Sequence, residues 1–433
     1  MVWLSKARKR DALTIHNHAT TANHPQLLVY AAPNPHLVSP RLGGRVRRPS
    51  LIGKSTRKQQ AMKMDVSIEE LDIQVVGDDP ENYVAEASVD IVGKMAVMVY
   101  VRMRGLNHHD DGSIMFMKSD DEGRTWDQSS LVTAMPGHEE YGFTSASAKI
   151  LKNGTIVVLA HAMVVNSRLV HGANYRGAWS AVSTDDGCTW THPEPIIAWP
   201  LRIINIWDNP IELDDNRLLL AASGNVHDTD VSNSFTDPSR SCLLCSEDSG
   251  RSWYYRGTIA YDPAGIHRFY EPGMTLTGDG RLIALSRQHY PEYCCAAPAG
   301  FLFSSESTDM GASWSGFQQT EIWGYPADTV ELNSGQILCV YGHRRDPQSV
   351  RIAISSDGRN WVKDNVFTIY SPPQLPQITA EELSGGLNTG YRHIGYPSAA
   401  VRGDGSVVVV FHAFNEDRRQ IVLSASFRVK DAR

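Results

Sequence analysis

Carboxylate, phenol, imidazole and guanidinium side chains recur at matching places in six segments of the 433-residue chain. The segments begin with Tyr83 and Glu86, Glu140 and Tyr141, Trp207 and Asp208, Tyr270 and Glu271, Tyr325 and Asp328, and His393 and Tyr396. One strand later stand Arg102, Arg104, His161, Arg287, His343, Arg344 and His412. Carboxylates and imidazoles move protons, and guanidinium forks bind carboxylates in both charge and geometry. Acids, arginines and tyrosines gathered in this way favour catalysis, because recognition alone needs fewer titratable groups. The bland reading, a polar ring that merely solvates a channel, stands beside it.

What brings such distant residues together is a repeat. Each segment reads as a polar or aromatic start, an apolar strand, a tight turn and a second apolar strand, as in YEPGMTLTGDGRLIALSR from Tyr270 and YPSAAVRGDGSVVVVFHA from Tyr396. The turn residues Gly93, Gly154, Asn216, Gly280, Gly335 and Gly405 are 61, 62, 64, 55 and 70 residues apart. Between them runs a second motif, S-x-D-x-G-x-[ST]-W, as SDDEGRTW (Ser119 to Trp126), STDDGCTW (Ser183 to Trp190), SEDSGRSW (Ser246 to Trp253) and STDMGASW (Ser307 to Trp314). SSDGRNW (Ser355 to Trp361) is a copy one residue shorter. The Asp can close a turn, the Gly supplies a positive φ and the Trp covers the turn, so these residues read as structural. Two hairpins per repeat and six repeats predict an all-β chain, a six-bladed β-propeller with four-stranded blades. The sixth repeat is short of a strand, which SIEELDIQVV (Ser67 to Val76) can supply, pairing the N- and C-terminal strands and closing the ring.

Composition narrows the rest. Eleven of the 41 Lys and Arg but one of the 48 acidic residues fall in residues 1–60, which leaves the remainder at −17. Such a body repels phosphates, so no nucleic-acid partner is expected, and no apolar run approaches the ~18 residues of a membrane span. Residues 1–64 read as a basic, disordered extension, either a transit peptide, a tail or non-native sequence before a start at Met62 or Met64, and residues 65–433 as the propeller. Lack of a signal peptide favours the cytoplasm. Cys242 and Cys245 form a C-x-x-C without a second pair at zinc-site spacing, so neither metal nor cofactor is expected. The oligomeric state is left open.

Over roughly residues 65–430 the blades and their S-x-D-x-G-x-T-W turns resemble the sialidase (neuraminidase) superfamily, where such turns are called Asp-boxes. The resemblance implies an exo-acting, retaining glycoside hydrolase that releases a terminal acidic sugar from a glycan. By resemblance, Glu271 and Arg287 on one hairpin correspond to the sialidase Glu and an arginine of its triad. Tyr396 in GYPSAAV resembles the segment of the nucleophilic tyrosine, and Arg344, Arg345 or Arg351 a further triad arginine. The resemblance places the acid in GLNHHDDG, with Asp110 the candidate. Arg102, Glu86, Tyr325, Asp208 and His343 complete the expected substrate contacts. One departure stands out. Sialidases carry [FY]-R-I-P in the first blade, where this chain has Tyr83-Val-Ala-Glu86-Ala. Arg102 or Arg104 would have to compensate, or Glu86 marks a hydroxyl-rich ligand. Two alternatives stay open: a lyase or exo-glycosidase acting on a uronate polysaccharide, with His343 or His393 moving protons, and a glycan-binding propeller without turnover.

Overall fold

The computed structural model describes residues 64–105, 111–138, 141–164, 175–226, 239–289, 300–324, 326–375 and 394–431. They form six antiparallel sheets in ring order, blade 1 over 82–135, blade 2 over 141–195, blade 3 over 201–260, blade 4 over 268–323, blade 5 over 327–370 and blade 6 over 395–431. Blade 6 takes its outermost strand from the other end of the chain. Val66–Asp78 pairs antiparallel with Gln420–Asp431, placing Ser67 opposite Lys430 and Gln74 opposite Ser424. The closure expected from sequence is therefore present.

The first strand of each blade is innermost, and in blade 3 two short strands, Leu201–Asn205 and Ile211–Glu212, share that place. Second strands are sandwiched between neighbouring blades and read as continuous apolar runs. Every residue of Val407–Phe414 is buried. Because strands alternate in direction, inner-strand starts and second-strand ends meet at one mouth of the ring, while the Asp-box turns gather at the opposite face.

Those turns have the geometry their sequence implies. In the first, Ser119 Oγ donates to Asp121 Oδ1 at 2.6 Å and accepts from the Gly123 amide at 2.9 Å, while Asp121 accepts from the Thr125 amide and hydroxyl at 2.9 and 2.6 Å. The shorter fifth copy keeps the pattern by substituting the Asn360 side-chain amide, 2.7 Å from Asp357 Oδ2. Hydrogen bonds from Ser313 and Ser307 hold the equivalent Asp309 down at about 2.

The turn glycine has a second duty. Gly187 has φ +82°, and a Cβ there would stand 2.2 Å from Phe116 of blade 1. Gly311 of blade 4 meets Leu243 of blade 3 in the same way, at 2.1 Å. Gly187→Ala is thus expected to destabilise the propeller by about 2 kcal/mol or more, through strain and the inter-blade clash together. A urea midpoint equal to that of the wild type would contradict this seam.

Candidate active site

Three inner strands carry the same distortion. In blade 1 the register slips between Ala85 and Ser88, in blade 4 between Tyr270 and Gly273, and in blade 6 between Gly395 and Ser398. Two residues thus oppose one on the second strand, and the first of the two has positive φ: Glu86 (+53°), Glu271 (+45°) and Tyr396 (+45°). Left-handed backbone at a non-glycine residue costs ~1–3 kcal/mol and re-aims the side chain, and such bulges concentrate at functional sites. Pro272 and Pro397 occupy the second place of two bulges, where the ladder needs no donor.

The bulges bring their side chains together. Tyr396 Oη donates to Glu271 Oε1 at 3.0 Å, and Arg287 Nη1 donates to both Glu271 oxygens at 2.9 and 2.8 Å. From blade 5, Arg344 reaches toward blade 6. Its Nε donates to the Ile394 carbonyl at 3.0 Å, and its guanidinium lies 5.1 Å from the centre of the Tyr396 ring. Tyr396 stacks on His412 at 5.8 Å and meets Trp207 at 6.3 Å, and Trp207 stacks on His161 at 6.0 Å. His412 Nδ1 accepts the Glu86 amide at 3.0 Å, tying the first bulge to blade 6.

Electrostatics give each group a resting state. Burial, reinforced first by the negative charge of Glu271, raises the Tyr396 phenol well above its ordinary value, so it rests neutral and donates to Glu271. Burial and then the charge of Glu271 raise Glu86 well above the carboxylate range, with Arg344 opposing. Burial and nearby Arg351 lower His343, which keeps it neutral.

Beneath the cluster lies a pair of carboxyls. Asp208 Oδ2 accepts the Met274 amide at 2.8 Å, and Asp328 accepts the amides of Ala399 at 2.7 Å and Thr329 at 2.6 Å. The two acids hydrogen-bond each other, so blades 3 to 6 are joined across the axis. Met274 and Ala399 lie three residues further along their strands than Glu271 and Tyr396, so the pair floors the site. Burial raises both acids, and the charge of Asp328 adds to the effect on Asp208. Folding therefore takes up protons here, and the pair's contribution to stability falls as pH rises above the ordinary carboxylate range. Asp208 accepts from the amides of Met274 and Asn209, whereas Asp328 accepts from two amides and from the Ser398 hydroxyl, so the shared proton sits on Asp208. Asp208→Asn is expected to match the wild type at pH 5 and exceed it in urea midpoint at pH 8. Asp328→Asn should lose about 2 kcal/mol at both, because its amide group cannot satisfy the same donors. Equal behaviour of the two variants would contradict the proton placement.

Of the residues singled out in the sequence, Tyr396, Glu271, Arg287, Arg344 and Glu86 come together. Asp208 does not join them, since its carboxyl is committed to the floor. His343 stands on the rim, edge-on to Trp323 at 5.3 Å. Arg102 and Arg104 do not compensate for the missing arginine. They turn to Asp79 (3.7 Å) and Asp111 (2.6 Å) and, with Asn82 and His138, line another cavity of about 290 Å³. Asp110, Tyr325 and His393 lie outside the described residues. Sequence reasoning placed Trp207, His161 and His412 at the mouth without seeing that they build an aromatic wall behind Tyr396. Among the described residues no group of acids, histidines or cysteines is arranged to hold a metal.

Known proteins share this architecture. A protein of unknown function from Dyadobacter fermentans is 19% identical, with TM-score 0.68, over 84% of this chain and all of its own. The NanB sialidase from Streptococcus pneumoniae, as its K499G mutant, is 12% identical with TM-score 0.55 over 83% of this chain and 70% of its own. The Penicillium chrysogenum alpha-L-arabinanase complexed with arabinobiose is 15% identical with TM-score 0.54 over 83% and 97%. At such identities the likeness speaks for the fold. No curated protein matches the sequence. Residues 160–409, more than half of the chain, match the BNR repeat-like domain, and the chain belongs to that family.

Proposed function

We propose that the protein is an exo-acting, retaining glycoside hydrolase of sialidase type that releases a terminal acidic sugar. The observation that carries this reading is the 3.0 Å hydrogen bond from Tyr396 Oη to Glu271 Oε1, made inside a pocket with two guanidinium groups. In the first step the phenol oxygen attacks the anomeric carbon while Glu271 takes its proton, and the bond to the leaving oxygen breaks as an acid protonates that oxygen. Asp110 is the candidate acid. In the second step water attacks the same carbon, the acid residue now takes the proton of that water, and the departing phenolate recovers its own from Glu271. A neutral phenol suits a substrate whose anomeric carbon bears a carboxylate, which would repel a carboxylate nucleophile.

Charge supports the acidic sugar. Among the described residues, Arg287 and Arg344 against Glu271, with Glu86 neutral, leave the pocket with one net positive charge. The Asp208–Asp328 floor supports attack at a chain end, since a floored pocket admits a terminal unit. A second reading, a neutral-sugar hydrolase with Glu271 as nucleophile, is favoured by one observation: Glu86 stands where the first triad arginine would be.

The test is a panel of aryl sialosides, glucuronides and arabinofuranosides, with NMR of the first-formed anomer. The expected result is turnover of a sugar acid with retained configuration. Turnover of the neutral glycosides alone would favour the second reading, an unsaturated uronate product a lyase, and saturable binding without product a glycan-binding propeller.

A further inference from the structure

Glu86 occupies in blade 1 the bulge position that Glu271 and Tyr396 occupy in blades 4 and 6. Its residue is nine-tenths buried, and its Oε2 has no hydrogen-bond partner among the described residues. The titratable and charged groups around it are Tyr83 on its own strand, Glu271 from blade 4, Arg344 from blade 5, and Tyr396 and His412 from blade 6. None of these described groups forms an ion pair with it, and a buried carboxylate lacking a close cation is costly. Protonation removes that cost and equips Oε2 with a donor. The burial and the charge of Glu271 that raise this carboxyl act in the same direction. Ionised, Glu86 would cancel the pocket's single positive charge, and an anion would gain nothing by entering. Neutral, it leaves that charge in place and offers an O–H where no acceptor stands among the described residues.

We propose that Glu86 is a specificity-determining residue that donates a hydrogen bond from its carboxyl to the substrate's carboxylate beside Arg344, limiting the pocket to sugars with one negative charge. This role rests on the acidic-sugar reading above. Glutamine preserves the shape and a donor without a charge, so it is the informative replacement.

Two measurements on the full chain test it. In calorimetric titrations at pH 6 with N-acetylneuraminate, glucuronate and glucose as probes, a sugar acid should bind wild type and Glu86→Gln within about threefold. Glu86→Leu should bind it at least about tenfold more weakly, the loss of one charge-assisted hydrogen bond. Infrared difference spectra of wild type minus Glu86→Gln at pH 7 should show the carbonyl stretch of a protonated acid, a readout that needs no ligand. A carboxylate band there, a tenfold loss in Glu86→Gln, unchanged affinity in Glu86→Leu, or tighter binding of glucose than of either acid would overturn the proposal. Failure of the underlying reading looks different: only neutral aryl glycosides would then be turned over, or Tyr396→Phe would hydrolyse glycosides as fast as the wild type, whatever Glu86 does.

Discussion

Tyr396→Phe is expected to lower kcat on the preferred aryl glycoside by about three orders of magnitude or more, because it removes the atom proposed to attack the anomeric carbon. The fold should hardly notice. The ring keeps its stack on His412 and its contact with Trp207, and Glu271 keeps both hydrogen bonds from Arg287. The lost hydrogen bond is worth about 1 kcal/mol of stability. Affinity for a sugar acid should also survive, since Arg287 and Arg344 are untouched. A Tyr396→Phe enzyme within tenfold of wild-type kcat would remove the phenol from the chemistry and leave Glu271 as the nucleophile.

Arg287→Met should damage both function and stability. Glu271 has a side chain only 5% exposed and takes both hydrogen bonds from one Arg287 nitrogen. Deleting the cation leaves a buried carboxylate still bonded to the phenol of Tyr396 but without its ion pair, at a cost of about 3 kcal/mol. On the proposed reading the substrate loses one of the two guanidinium groups that the described residues offer, and those residues lose their net positive charge. The expected signature is a higher KM and a lower kcat together with a lower thermal midpoint. Glu271→Gln separates the effects: the amide cannot take a proton from Tyr396, so kcat should fall even where the fold survives. Unchanged stability in Arg287→Met would show that the ion pair does not hold the bulge.

The ring itself was legible because its signals are local and repeated. Asp121, Asp185, Asp248, Asp309 and Asp357 each close their turn by hydrogen bonds to residues within four positions, so five short motifs announced five hairpins. The closing strand could be inferred because the last blade lacked a partner. Within the site, Glu271, Arg287, Arg344 and Tyr396 were recognisable through likeness to a known pattern. Their convergence was not, since it depends on bulges, and a bulge is a register event between strands. A signal for it did exist. Glu271-Pro272 and Tyr396-Pro397 put a residue that cannot donate inside an inner strand, which is compatible with the ladder only where pairing slips.

The roles of Asp208 and Arg102 were hidden for a different reason. A carboxylate at a strand start looks the same in sequence whether it meets a ligand or the amide of a neighbouring blade. Asp208 meets Met274, 66 positions away. Arg102 follows its strand outward to Asp79, and nothing in its spacing reports that turn. Glu86 was noticed as an oddity of the first blade. Its burial, which decides its charge, comes from packing against blades distant in sequence.

The central claim is that Tyr396, activated by Glu271, bonds covalently to the sugar. The most direct measurement is peptide mapping by mass spectrometry after incubation with an activated sugar acid fluorinated next to its anomeric carbon, which slows release of the intermediate. The expected result is one added glycosyl group on the peptide containing Tyr396, absent from Tyr396→Phe. A label on Glu271, or substrate turnover with configuration inverted and no adduct, would contradict it.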